Sequence, residues 1–284
     1  MICVKCYLCG KEKSSLIQRE GCWDILQCKD CGYVYLFPLP DESFLKKHYQ
    51  GYLPTDKIKI KHWRFMMLEI FTRSLASLDN LYWHQRGKLL DIGCGHGFFL
   101  EMAKEKGWDV YGLDLCQQAI EYARLRGFNV ASVSLFENNY KDNEFDVITM
   151  FYVFEHLLNP VKYLQEIYRI LKPGGVLLLR VPHTTPIVKI LKILRISNKL
   201  YDAPSHVSDF SPKTTALVLN KAGFCEIHTF PGGATRPHPL GQRLISLGSG
   251  IIADVLYILS GKRLLLPGVS KTTIARKPEH EDTI

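Results

Sequence analysis

Three groups of residues in this 284-residue chain have the types and spacing to do chemistry. Cys6-x-x-Cys9-Gly10 and Cys28-x-x-Cys31-Gly32 are two knuckles separated by 18 residues. Four thiolates at that spacing, with Cys3 able to replace Cys6 in register, close a tetrahedral zinc site with no open position, so the ion holds structure and performs no chemistry. Asp91-Ile92-Gly93-Cys94-Gly95-His96-Gly97 ends an apolar run in glycines at alternate positions. Such glycines admit positive φ and leave no Cβ between backbone and ligand, and a helix starting there aims free N–H groups at whatever is bound. His156, His183 and His206 can exchange protons near neutral pH.

These residues need a frame, and the hydrophobic pattern supplies one. Lys88 to Ile92 reads as a buried strand entering the glycine turn, with helical spacing after it. Residues 108–114 form a second strand ending in Asp114, 23 positions after Asp91. An acid there can accept hydrogen bonds from both ribose hydroxyls of a nucleoside. Residues 144–150 make a fourth strand, and Val161, Leu164, Tyr168 and Leu171 share one helix face before the Pro173-Gly174-Gly175 break. A fifth strand runs from Val176 to Val181, and residues 269–277 make a last one. Upstream, Trp63, Met66, Met67, Ile70, Phe71, Leu75 and Leu78 recur at helical spacing, as one face of a long helix packed on this sheet. The alternation of strand and helix predicts an α/β fold with a mostly parallel sheet. The glycine spacing does not fit the dinucleotide pattern G-x-G-x-x-G, because position 98 is Phe.

Glycines at i, i+2 and i+4 behind an Asp, with F-D-V-I at 145–148, V-F-E-H-L at 153–157 and L-K-P-G-G-x-L-L-L at 171–179, resemble the class I S-adenosylmethionine-dependent methyltransferases over roughly residues 85–182. The resemblance implies a Rossmann-like, doubly wound, seven-stranded sheet. It also implies S-adenosylmethionine as cofactor, bound by Asp91, Gly93, Gly95, Gly97, Asp114, Leu115, Ser134 and Phe151. Many members place an acid after the third strand to hold adenine, but Val130 to Leu135 has none. Backbone groups, Ser134 or apolar stacking must then serve. The cysteine knuckles followed by Tyr33 to Pro38, together with H-x-x-x-F-S at 206–211 and A-G-F at 222–224, resemble a bacterial subgroup, close to ubiquinone-biosynthesis enzymes, in which a zinc ribbon precedes the catalytic domain. Tyr49 and Tyr52 resemble a tyrosine segment that packs near the cofactor in such enzymes, or are ordinary core or surface tyrosines. The expected organisation is a ribbon over 1–40, a helical linker over 41–84, and a catalytic domain over 85–284 whose segments 183–211 and 236–266 form substrate lids.

Methyl transfer from a sulfonium is an in-line displacement, so the protein must align donor and acceptor and, for a hydroxyl acceptor, remove its proton. His156 sits in a block shared across acceptors, whereas His183 and His206 are better placed for substrate; His96 presents its backbone. The expected reaction is O-methylation of a small-molecule or glycan-like acceptor. Two alternatives remain: a ribosomal RNA methyltransferase, since the net charge is +8, and a non-catalytic zinc-ribbon binding protein. That charge is spread rather than arranged as a basic and aromatic stripe, which disfavours nucleic acid as partner. Residues 186–196 are basic and amphipathic, suited to a lid, packing or peripheral membrane contact. Residues 244–259 are apolar but shorter than the ~20 a membrane span needs, so an amphipathic or domain-packing helix is expected. The first ten residues lack a basic segment followed by an apolar core, so a reducing cytoplasm is expected and the nine cysteines need another explanation than disulfides, while oligomeric state stays open.

Overall fold

The computed structural model describes residues 4–82, 86–237, 239–266 and 269–279, so Cys3, one alternative to Cys6 as a metal ligand, lies outside the described residues. An antiparallel meander comes first: β1 (Ser14–Glu20), β2 (Trp23–Cys28) and β3 (Val34–Phe37). Two helices follow, α1 (Glu42–Gln50) and α2 (Lys57–Leu81). The carboxylates of Asp41 and Asp56 cap them by accepting otherwise orphaned N–H groups of the first turn. Met67, Ile70, Phe71, Leu75 and Leu78 form the buried face of α2, as the sequence spacing predicts.

The main sheet then begins with β4 (Lys88–Ile92), α3 (Phe98–Glu105), β5 (Asp109–Leu113), α4 (Gln117–Leu125) and β6 (Asn129–Ala131). It continues with β7 (Phe145–Phe151), α5 (Pro160–Ile170), β8 (Leu171–Val181), α6 (Thr184–Ile193), β9 (Ser208–Asp209), α7 (Pro212–Lys221), β10 (Cys225–Pro231), α8 (Leu240–Leu259) and β11 (Lys271–Arg276). Seven strands stand in the order β10-β11-β8-β7-β4-β5-β6. Neighbours from β8 to β6 are parallel, and β11 and β10 are antiparallel. This is the doubly wound, seven-stranded sheet that the sequence resemblance implies. The chain winds outward from β4 to β6 and restarts on the other side at β7, which puts the topological switch point, where open α/β sheets bind their ligands, at the carboxyl ends of β4 and β7. Strand β8 starts at Leu171 rather than Val176: the ladder with β7 begins before the Pro-Gly-Gly break and shifts register across it.

The ribbon is not an appendage on a tether. Strand β9 leaves the catalytic region to pair with β3, matching Val34 with Asp209 and Tyr35 with Ser208. Cys6, Leu8, Tyr33 and Tyr35 share one apolar cluster with Phe154, Leu164 and Phe210. Segment 183–211 is therefore stitched to the ribbon sheet at its end.

Helix α8 begins four residues before the apolar run 244–259 and packs on the domain through its inner face, as an amphipathic helix does. It runs 20 residues, long and apolar enough by length and composition to cross a membrane, and it buries only Gly250 and Ala253. The apolar side chains that a domain-packing helix would bury face outward.

Candidate functional site

The glycine turn is built by the carboxyl end of β5. The N–H groups of Gly93 and Cys94 both donate to the Leu113 carbonyl, at 2.7 and 3.0 Å. Gly93, Gly95 and Gly97 have φ of +79°, +51° and +76°, a region that side chains rarely tolerate. A Cβ on Gly93 would stand 2.2 Å from the Val153 side chain. Asp114 holds the turn from outside. Its Oδ2 accepts the Gly95 N–H and its Oδ1 the Cys116 N–H, each at 2.8 Å.

The other residues expected to bind cofactor are placed differently. Asp91 is buried at 2% exposure and accepts the Thr149 hydroxyl of β7 at 2.7 Å, and burial pushes its carboxyl up to about 8. The carboxyl bridges β4 and β7. Phe151 packs against Phe71 and Phe99. The Ser134 hydroxyl and N–H close a capping box with Glu137 at a short 3-10 turn, so the hydroxyl expected near adenine already has a partner. Leu115 is half-buried beside Asp114.

Residues 49–54 cross the turn. The Pro54 carbonyl lies 2.8 Å from His96 Nε2, which must carry a proton to donate to it, and the Cys116 thiol reaches the Gln50 carbonyl at 3.5 Å. The His96 ring, not only its backbone, thereby pins this segment. Tyr49 donates to the Ser205 carbonyl at 2.7 Å and touches His156 Nδ1 at 2.9 Å, while Tyr52 stands edge-on to the same imidazole.

Of the three candidate histidines, the fold brings two together. The rings of His156 and His206 have centroids 4.8 Å apart. Burial and then His206 push His156 down to about 4, and burial lowers His206 as well. The Ser205 carbonyl, 2.8 Å from His156 Nδ1, only accepts, so that nitrogen carries the hydrogen. His183 stands apart, at the start of α6 after β8. It is 8% exposed, its Nδ1 has no partner, and burial, then the Lys271 ammonium, push it down to about 4.

A buried charged cluster near His183 was not singled out from the sequence. Glu155 is 1% exposed, neither carboxyl oxygen has a partner, and burial raises it to about 8. Lys271 is fully buried, donates to the Pro182 carbonyl at 2.6 Å, and is lowered to about 8 by burial. Arg180 donates to the Tyr152 hydroxyl, Thr272 Oγ1 and the Gly233 carbonyl at 2.9, 3.0 and 2.7 Å. The Asp209 carboxylate accepts the Thr184 and Thr185 N–H groups, capping α6. One signal existed: Arg180 is a single charge near the end of the apolar run Val176 to Val181, where parallel strands present their functional residues.

Two groups among the described residues can hold a metal ion. Glu155, His156 and His206 present ligand atoms within 4.8 Å of one another, and so do Cys6, Cys9, Cys28 and Cys31. In the second, Sγ of Cys6 and Cys31 lie 3.7 Å apart and those of Cys9 and Cys28 3.6 Å, close to the roughly 3.8 Å edge of a tetrahedron with ~2.3 Å zinc–sulfur bonds. Burial raises the Cys6 thiol to about 11 and the Cys31 thiol further, so a cation is what would keep such close sulfurs ionised.

A family model described as a methyltransferase domain matches residues 62–229. Over 147 residues the chain is 30% identical to the ubiquinone biosynthesis O-methyltransferase of Xanthomonas oryzae pv. oryzae, covering 48% of this chain and 61% of that protein. It is 28% identical over 160 residues to a probable S-adenosylmethionine-dependent methyltransferase of Mycolicibacterium smegmatis, covering 51% and 60%. The chain thus spans about three fifths of the length of these relatives. A solved SAM-dependent methyltransferase from Archaeoglobus fulgidus superposes with a TM-score of 0.54 at 20% identity, over 78% of this chain and all of that one. Phosphoethanolamine N-methyltransferase 2 of Haemonchus contortus, solved with S-adenosyl-L-methionine, gives 0.52 at 17% identity, over 92% and 70%. At these identities the structural likeness establishes the fold.

Proposed function

We propose that this chain, which belongs to the methyltransferase domain family, transfers a methyl group from S-adenosylmethionine to a hydroxyl of a small-molecule or glycan acceptor. The observation that carries this reading is the pairing of two features at the carboxyl ends of the parallel strands: the glycine turn latched to Asp114, and His183 beyond β8, whose buried Nδ1 has no partner. The resemblance to O-methyltransferases supports oxygen as the acceptor atom.

The residues present fit the donor. Three left-handed glycines keep Cβ atoms off alternate positions of the turn, and the two backbone donors of Asp114 leave its carboxylate further lone pairs for a diol. Bound there, S-adenosylmethionine supplies an electrophilic methyl group on sulfur. Residues 49–54 exclude water from the turn, which strengthens polar contacts inside. With its ring against the Leu266 carbonyl, His183 keeps its proton on Nε2, and its buried, unpartnered Nδ1 is the atom that accepts the hydroxyl proton once an acceptor is admitted beside it. Arg180 and Lys271 give that wall a positive potential, which favours an oxygen that gains negative charge as its proton leaves. Zinc in the four-cysteine site serves as a structural ion.

Calorimetric titration with S-adenosylmethionine, then a turnover screen across phenols, glycans, lipid-linked glycans and RNA, tests the proposal. His183→Asn is expected to lower kcat about 100-fold with little change in cofactor affinity. Absence of cofactor binding, or methylation confined to RNA with a steep salt dependence, would overturn it.

A further inference from the structure

Helix α8 is amphipathic in the wrong sense for a helix surrounded by water. Its inner face carries small and polar residues, each engaged by the body of the protein. Ser246 donates to the Thr235 carbonyl at 2.6 Å, Gly250 packs on Ala234, Asp254 pairs with Arg73 at 2.5 Å, and the Tyr257 hydroxyl donates to the Thr229 carbonyl at 3.1 Å. Its outer face is aliphatic. Leu244, Ile245, Ile251, Ile252, Ile258 and Leu259 are between 54% and 78% exposed. A water-facing helix shows the reverse pattern, and an aliphatic stripe running a helix of ~30 Å exceeds the patches that monomers ordinarily leave bare.

We propose that this face of α8 lies in the interfacial plane of an anionic lipid bilayer. The inner contacts run from residue 246 to 257, so the helix is tied along three turns and cannot leave the domain to span a membrane. A helix held parallel to a surface buries its outer stripe at the boundary of headgroups and acyl chains.

Charge selects the bilayer over other covers. At the start of α8, Arg243 stacks on the Phe65 ring at 4.8 Å, which brings the exposed Lys57, Lys59 and Lys61 of the first turns of α2 to the same end. At the far end Lys262 and Arg263 are exposed. The acids nearby are committed: Asp254 and Glu69 to Arg73, Glu69 also to Arg236, and Asp56 to the N-cap of α2. Among the described residues, both ends of the stripe are therefore cationic. A second copy of the chain, paired in either direction, would set like charges against each other, whereas anionic headgroups meet both ends favourably.

Flotation of the full chain with phosphatidylglycerol-containing vesicles, and with pure phosphatidylcholine vesicles, tests the proposal. Co-flotation with the anionic vesicles is expected, weakened about tenfold or more by Ile245→Glu with Ile252→Glu, while the thermal transition stays in place because both side chains are exposed in the fold. Lys262→Glu with Arg263→Glu is expected to weaken binding to anionic vesicles without touching the apolar stripe, so the reading remains testable should the first variant misfold. Failure to float with anionic vesicles overturns the proposal, as does wild-type binding by both variants. A dimer in light scattering that Ile252→Glu dissociates, with no vesicle binding, would assign the face to a second copy instead.

Discussion

The Asp114 carboxylate accepts the Gly95 N–H at 2.8 Å and so ties the last residue of one strand's exit to the middle of its neighbour's turn. With Cys116 on its other oxygen, one acid organises the backbone of both loops beside the switch point. Asp91, 23 positions earlier, faces Thr149 inside the sheet. Two acids of similar appearance in the sequence therefore hold different things.

Replacing Asp114 tests that latch. Asp114→Asn puts an amide donor against one of two N–H donors, leaving a buried donor unmatched at a cost of about 1–3 kcal/mol. Calorimetry is expected to show cofactor affinity reduced at least tenfold, with a lower urea midpoint; unchanged values for both would show that the turn holds without the acid.

Removing the zinc proposed for the four-cysteine site is expected to affect the whole chain. Because Tyr33 and Tyr35 share an apolar cluster with Phe154 and Phe210, Cys28→Ser or a strong chelator should lower one common thermal transition rather than melt a separate ribbon. Elemental analysis should give about one zinc per wild-type chain and none in the variant. A native melting curve for the metal-free protein contradicts this.

Stability should depend on pH in a particular sense. Folding raises Asp91 and Glu155 to about 8 from 3.8 and 4.5, so between those values the unfolded chain holds fewer protons and stability falls as pH rises. His156 and His183, lowered from 6.5 to about 4, work oppositely: stability rises from pH 4 to 6.5. Lys271, lowered from 10.5 to about 8, restores stability only above pH 8. The contributions oppose each other below pH 6.5, and between 6.5 and 8 the urea midpoint should drop, each carboxyl contributing on the order of 2 kcal/mol. Glu155→Gln should halve that slope; a flat wild-type profile would refute it.

The chain by itself determined everything that rests on local chemistry. The strands β4, β5, β7 and β11 and most of β8, the glycine turn, Asp114 just after β5 and the four cysteines were legible, because periodicity, positive-φ glycines and ligand spacing are written in consecutive residues. Tertiary structure decided what depends on distant chain meeting. Lys271 from β11 joins Glu155 from the loop after β7 and Arg180 from β8, and Tyr49 meets His156 across 107 positions. Nothing near Glu155 in sequence announces that its carboxyl will be sealed from water, nor does residue 245 reveal that its helix will turn it outward. Burial belongs to the packed sheet, and it is burial that lowers the histidines and raises the carboxyls.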